Sequence, residues 1–178
     1  RELIRNLSVK SKPEGGALAM VLDRWISSVQ TATAESSHIN MDAPLFSELV
    51  EQRIMAIIRQ MQELVHGFDF ARLLTLYYRA FIEGNDELKG KVLKWFRGEY
   101  ATKTEARQEL GVTVIISDDD WYDYLKLMAY FFRQAGYRGL MVFIDELVNI
   151  FKIPNSISRQ YNYEKILTMY NDALQGKA

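Results

Sequence analysis

Leu140-Met141-Val142-Phe143-Ile144-Asp145-Glu146 is the stretch on which the reading of this chain turns. Five apolar side chains follow Gly139 without a break, and two acids end the run. A strand of this composition is apolar on both faces, as in the middle of a parallel sheet covered on both sides. In open sheets of that kind, ligands sit at the carboxyl ends of the strands. An acid placed there can help hold Mg²⁺, largely through water, because Mg²⁺ keeps much of its hydration. A glutamate directly after it can orient or deprotonate an attacking water. The run therefore fits a Walker B element at every position, with Asp145 for the metal and Glu146 for the water. A plainer reading stands beside it: a core strand whose acids cap the following helix.

The other half of such a site is absent from these residues. A Walker A loop requires Gly-x-x-x-x-Gly-Lys-Ser/Thr, whose amides and lysine cradle the phosphates. The pair Gly15-Gly16 lacks the lysine and the hydroxyl at that spacing. In P-loop ATPases this loop precedes Walker B, so it is expected upstream of Arg1. The first residues already fall at helical spacing (Leu3, Ile4, Leu7), and Gly176-Lys177-Ala178 follows a strongly patterned helix. Both ends are expected to be internal to a longer polypeptide.

The 178 residues suffice for one domain with a real core. Hydrophobic residues at 48% and charged residues at 25% are those of an ordinary globular chain. A net charge of −1 gives no whole-chain attraction to nucleic acid or membrane. The absence of cysteine excludes disulfides and thiolate-ligated zinc, and a cytoplasmic location fits. No apolar run reaches the roughly 18 residues of a spanning helix, so no membrane partner is expected.

Outside residues 139–144 the pattern is helical. Leu18, Val21, Leu22, Trp25 and Val29 mark one helix face, and the small polar residues 31–40 suggest a loop after it. Pro44 suits a first helical turn. It opens a stripe of Leu45, Leu49, Ile54, Ile57, Ile58, Met61, Leu64 and Val65 that Gly67 is expected to end. Asp69 is a candidate cap for the next helix, with Phe70, Leu73, Leu74, Tyr77, Phe81 and Ile82 inward. Gly84-Asn85 breaks it, and a short helix follows through Leu88, Val92, Trp95 and Phe96. Thr102 with Glu105, and Ser117 with Asp120, have capping-box spacing. Residues 112–116, Val-Thr-Val-Ile-Ile, fit either a strand or a buried extended connector. A last helix is expected from about Ile157 to Leu174, with Tyr163, Ile166, Leu167, Tyr170 and Leu174 inward. The expected fold is mainly α, a bundle-like piece with one or two short strands cut from a P-loop α/β ATPase.

Other candidate sites are weaker. Arg159, at the start of the last helix, could reach a phosphate as an arginine finger does, or serve as an ordinary helix-start cation. Lys89, Lys91, Lys94 and Arg97, with Trp95, Phe96 and Tyr100, have the composition of a nucleic-acid surface; flanking acids favour a solvated helix face. Asp118-Asp119-Asp120 could bind a cation but also suits the start of a helix. His38 and His66 have no ligand at metal spacing.

A larger set of residues carries a family resemblance. It comprises Gly136-Tyr137-Arg138-Gly139 leading into Val142-Phe143-Ile144-Asp145-Glu146-Leu147-Val148-Asn149, then Arg159, Asn162-Tyr163-Glu164-Lys165-Ile166-Leu167 and residues 171–176. Ser11-Lys12-Pro13-Glu14-Gly15-Gly16, and Leu110-Gly111-Val112 before Asp118-Asp119-Asp120, belong to it as well. Together they resemble the P-loop ATP-binding proteins of bacterial bacteriophage-exclusion (BREX) defence systems. The resemblance implies an AAA+-like parent that takes ATP and Mg²⁺, with Asp145 for Mg²⁺ and Glu146 for the water. On that reading residues 1–43 follow the Walker A half, 44–116 are a helical insertion, and 117–178 hold a helix, Walker B and the next helix. Expected partners are the rest of the parent chain, other copies and further defence-system proteins. These residues alone are expected to bind no nucleotide and to be inactive. The alternative is a non-catalytic helical interaction or scaffold module.

Overall fold

The computed structural model describes residues 2–117, 119–145 and 147–176. The chain is mainly α. Its helices are α1 (Glu2–Arg5), α2 (Leu18–Ser37), α3 (Pro44–Gln62), α4 (Gly67–Glu83), α5 (Asp86–Phe96), α6 (Lys103–Leu110), α7 (Trp121–Gln134) and α8 (Ser156–Leu174). A 3₁₀ turn spans Leu147–Lys152. The chain divides into two compact units, Arg1–Leu140 and Met141–Ala178.

In the first unit consecutive helices pack on one another, α2 on α3, α3 on α4, α4 on α5 and α5 on α6. The buried face of α2 is Leu18, Val21, Leu22, Trp25, Ile26, Val29 and Thr33, a continuous helical stripe. The loop expected at residues 31–40 is instead the end of this helix. Its hydroxyls return to the helix's own carbonyls, Thr31 to Ser27 at 3.1 Å and Thr33 to Val29 at 2.8 Å. Thr33 is thereby satisfied at a buried position. The helix stops at His38, which is left-handed at φ 55° and donates its N–H to Ala34 O.

Pro44 does open α3, after an extended Ala43. The buried face is Phe46, Val50, Ile54, Ile58 and Met61. Leu45, Leu64 and Val65 are exposed, so the stripe read from sequence ran one helical step off at its start and overran its end. Gly67 ends nothing; it begins α4. A Cβ there would lie 1.7 Å from the Met61 carbonyl oxygen, so only glycine permits so tight a turn between the two helices. The residue before it, His66, is left-handed and makes no side-chain cap, and Asp69 lies within the first turn of α4 instead of capping it.

Thr102 with Glu105 follows its capping-box spacing, Asn85 caps α5 where the sequence marks only a helix break, and Asp120 bonds back to Ser117 without a side-chain cap to α7. Asn85 accepts from Leu88 N at 3.0 Å to start α5. Thr102 accepts from Glu105 N at 3.2 Å, and Glu105 answers by accepting from Ala101 N. Asp120 accepts from both Ser117 N and Ser117 Oγ, at 2.7 and 2.9 Å, and α7 begins one residue later. Residues 112–116 form the extended connector: Val112 is buried, and the Val114 carbonyl accepts from Trp95 Nε1 at 2.7 Å.

Residues 139–144 do not form a strand. Among the described residues the one isolated bridge is Val9 with Lys12, and no ladder reaches this run. The physical reason is the lack of a neighbour: an extended segment becomes a strand only when another backbone takes its N–H and C=O groups. In the second unit Met141, Phe143 and Ile144 are exposed at 77, 86 and 51%. The last helix forms where expected, with Asn155 accepting from Ser158 N at 2.9 Å. Its inward face does not: no residue of α8 is buried, and Tyr163, Leu167, Tyr170 and Leu174 are exposed.

Two glycines separate close approach from mere helix content. Gly67→Ala is expected to destabilise the protein by about 2 kcal/mol or more, because the clash is with backbone. Gly90, in α5, meets nothing within 4 Å of an added Cβ. Gly90→Ala is expected to stabilise by about 0.5–1 kcal/mol through helix propensity. Urea denaturation of the two variants measures both; a neutral Gly67→Ala would contradict the turn described.

Candidate functional site

In the second unit the apolar run delivers Asp145 to an exposed position just before the 3₁₀ turn Leu147–Lys152. Glu146 lies outside the described residues. The chain then passes Ile153, whose N–H donates to Ile150 O at 3.1 Å, and enters α8 behind the Asn155 cap. Arg159 sits in the first turns of α8 and donates from Nη1 to the Ile153 carbonyl at 2.8 Å. One face of its guanidinium thus fastens the entry to the helix. A guanidinium carries five N–H donors, so this bond leaves capacity for an anion.

The donor chemistry of Asp145 fits Mg²⁺, a hard cation that takes carboxylate oxygen together with water and phosphate oxygens. Among the described residues no group of three or more His, Asp or Glu side chains is placed to hold a metal ion by protein ligands alone. No Gly-x-x-x-x-Gly-Lys-Ser/Thr run occurs in the sequence.

The basic and aromatic group at residues 89–100 is engaged within its own unit. Lys89 pairs with Asp23 at 3.2 Å and Arg97 with Glu99 at 3.0 Å, while Lys91 bonds Glu87 and Lys94 bonds Glu105. Stacking on bases needs exposed rings. Trp95, Phe96 and Tyr100 are instead buried, at 1, 1 and 3% exposure. His66 stacks on Tyr124 with ring centroids 4.9 Å apart. Asp118 lies outside the described residues, and Asp120 serves Ser117 as above.

One polar constellation was not foreseen. Tyr77, fully buried, donates its hydroxyl to Asp23 Oδ1 at 2.7 Å, while Lys89 reaches Asp23 Oδ2 and lies 5.5 Å above the Tyr77 ring. It ties α2, α4 and α5 together. Burial, followed by the Asp23 carboxylate, pushes the Tyr77 phenol far above its usual range, so it stays a donor. No local pattern announces the triad, since its members come from three helices. An apolar cavity of about 80 Å³ also lies in the first unit, lined by Phe70, Phe96, Trp121 and Met128 among others; neither Asp145 nor Arg159 lines it.

These features define a mainly helical chain with an apolar run ending in an acid. A family model described as BREX system ATP-binding protein BrxC/D matches residues 1–178, and the chain belongs to that family. No curated protein and no solved structure matches it. Among the described residues no helix is long and apolar enough to cross a membrane.

Two expectations follow from the electrostatics. Asp23→Ala leaves the Tyr77 hydroxyl with only a long contact to Ala19 O at 3.5 Å. Removing a buried partner costs about 1–3 kcal/mol, and adding Tyr77→Phe should recover part of it in a urea titration. Burial raises the Glu99 carboxyl, but hydrogen bonds from Arg5 and Arg97 outweigh it and hold the group below the ordinary 4.5. Hydrogen bonds from Lys94 and Lys91 likewise lower Glu105 and Glu87. Folded-state values below the unfolded one give stability that is complete above about pH 4.5 and fades as pH falls through the folded values. The urea midpoint should therefore stay level down to about pH 5 and then drop, less steeply in Glu99→Gln.

Proposed function

We propose that this chain is the Walker B-bearing part of a P-loop, AAA+-like ATPase that serves in BREX defence. The observation that carries the reading is the run Leu140-Met141-Val142-Phe143-Ile144-Asp145-Glu146 in a chain matched from end to end by an ATP-binding family. The exposure of Phe143 and Ile144, neighbours that point to opposite faces of an extended segment, supports it, since a central strand without its neighbouring strands displays both apolar faces.

In the full protein the phosphate-binding loop comes from sequence upstream, and residues 44–116 form a helical insertion before the strand. Mg²⁺ bound with ATP neutralises charge on the phosphates during transfer. Asp145 would hold that ion through its carboxylate. Glu146 accepts hydrogen bonding from the attacking water and orients it. Arg159 keeps the entry to α8 fixed through Ile153 and offers its remaining donors to a phosphate. Partners are the rest of the polypeptide, further copies of it and other proteins of the defence system. Residues 1–178 alone neither hold ATP tightly nor turn it over.

The test compares the full-length ATPase with its variants. Glu146→Gln should keep ATP bound and lower turnover about 10²–10⁴-fold, the usual contribution of a positioned base. Asp145→Asn should weaken the Mg²⁺ dependence of turnover. Unchanged turnover in Glu146→Gln removes that residue from the chemistry. Turnover by residues 1–178 alone, lost on the same substitution, would show the site to be complete without an upstream loop.

A second reading is a helical interaction module in which the Asp-Glu pair is structural. It draws on α8, a well-capped helix with no buried face. A full-length sequence without Gly-x-x-x-x-Gly-Lys-Ser/Thr upstream of residue 1 would favour it.

A further inference from the structure

We draw no further inference here: the strongest candidate, the surface patch of exposed apolar side chains on the 3₁₀ turn and α8 (Val148, Phe151, Ile157, Leu167, Tyr170 and Leu174), is an unpartnered face, and nothing in the structure shows what covers it.

Discussion

Phe131 of α7 meets Trp25 of α2 edge-on, with ring centroids 5.1 Å apart, and the first unit is organised around that contact. The two residues come from the first long helix and the last helix of the unit, so their meeting closes the chain on itself. Phe70 of α4 lies 6.4 Å from Phe131 and 5.1 Å from Phe96, which brings α4 and α5 into the same cluster. Trp95 continues it to Tyr124 at 5.3 Å. Each such pair contributes about 0.5–1.5 kcal/mol beyond the burial of its area. Sequential helix packing alone would leave α7 loosely attached; the aromatic contacts are what bind it to α2, α4 and α5.

Around that cluster the charges serve the helices themselves. Glu99 takes Arg5 on one side and Arg97 on the other, joining the start of the chain to the segment after α5. Lys94 lies 4.2 Å from the centre of the buried Tyr100 ring while bonding Glu105, so its charge is held between an aromatic face and a carboxylate. Exposed pairs of this kind add little each. Cations already facing carboxylates of their own chain are poor counterions for a phosphate backbone, whose binding depends on releasing condensed ions.

Helix content was legible because amphipathic spacing and caps are local. Thr102 with Glu105 acts within four residues and does what its spacing implies, and Asp120 meets Ser117 at the expected spacing without capping α7. Errors arose where tertiary packing decides. Residues 31–37 look like loop by composition, yet Thr33 continues the α2 stripe once a neighbour buries it. Gly67 looks like a stop, yet its role is the approach to Met61 O, which no sequence pattern encodes. The Asp23–Tyr77–Lys89 network spans three helices and is invisible to any window along the chain. Of the candidate site, the acid at the end of the apolar run was legible by composition, whereas the engagement of Arg159 with Ile153 required the fold.

The second unit shows why a motif and a site are different things. Periodicity specifies the length of α8, and the same pattern predicts an inward face at Tyr163, Leu167 and Tyr170. A helix can bury a face only against something, and the 3₁₀ turn that meets α8 leaves none of its residues buried. The same holds for residues 141–144: four apolar side chains specify a strand only when neighbouring backbones pair with its N–H and C=O groups. An acid gains catalytic precision from such support, since positioning within fractions of an ångström comes from packed neighbours. On the ATPase reading, Asp145 therefore acquires its function from sheet neighbours and a phosphate loop outside these residues.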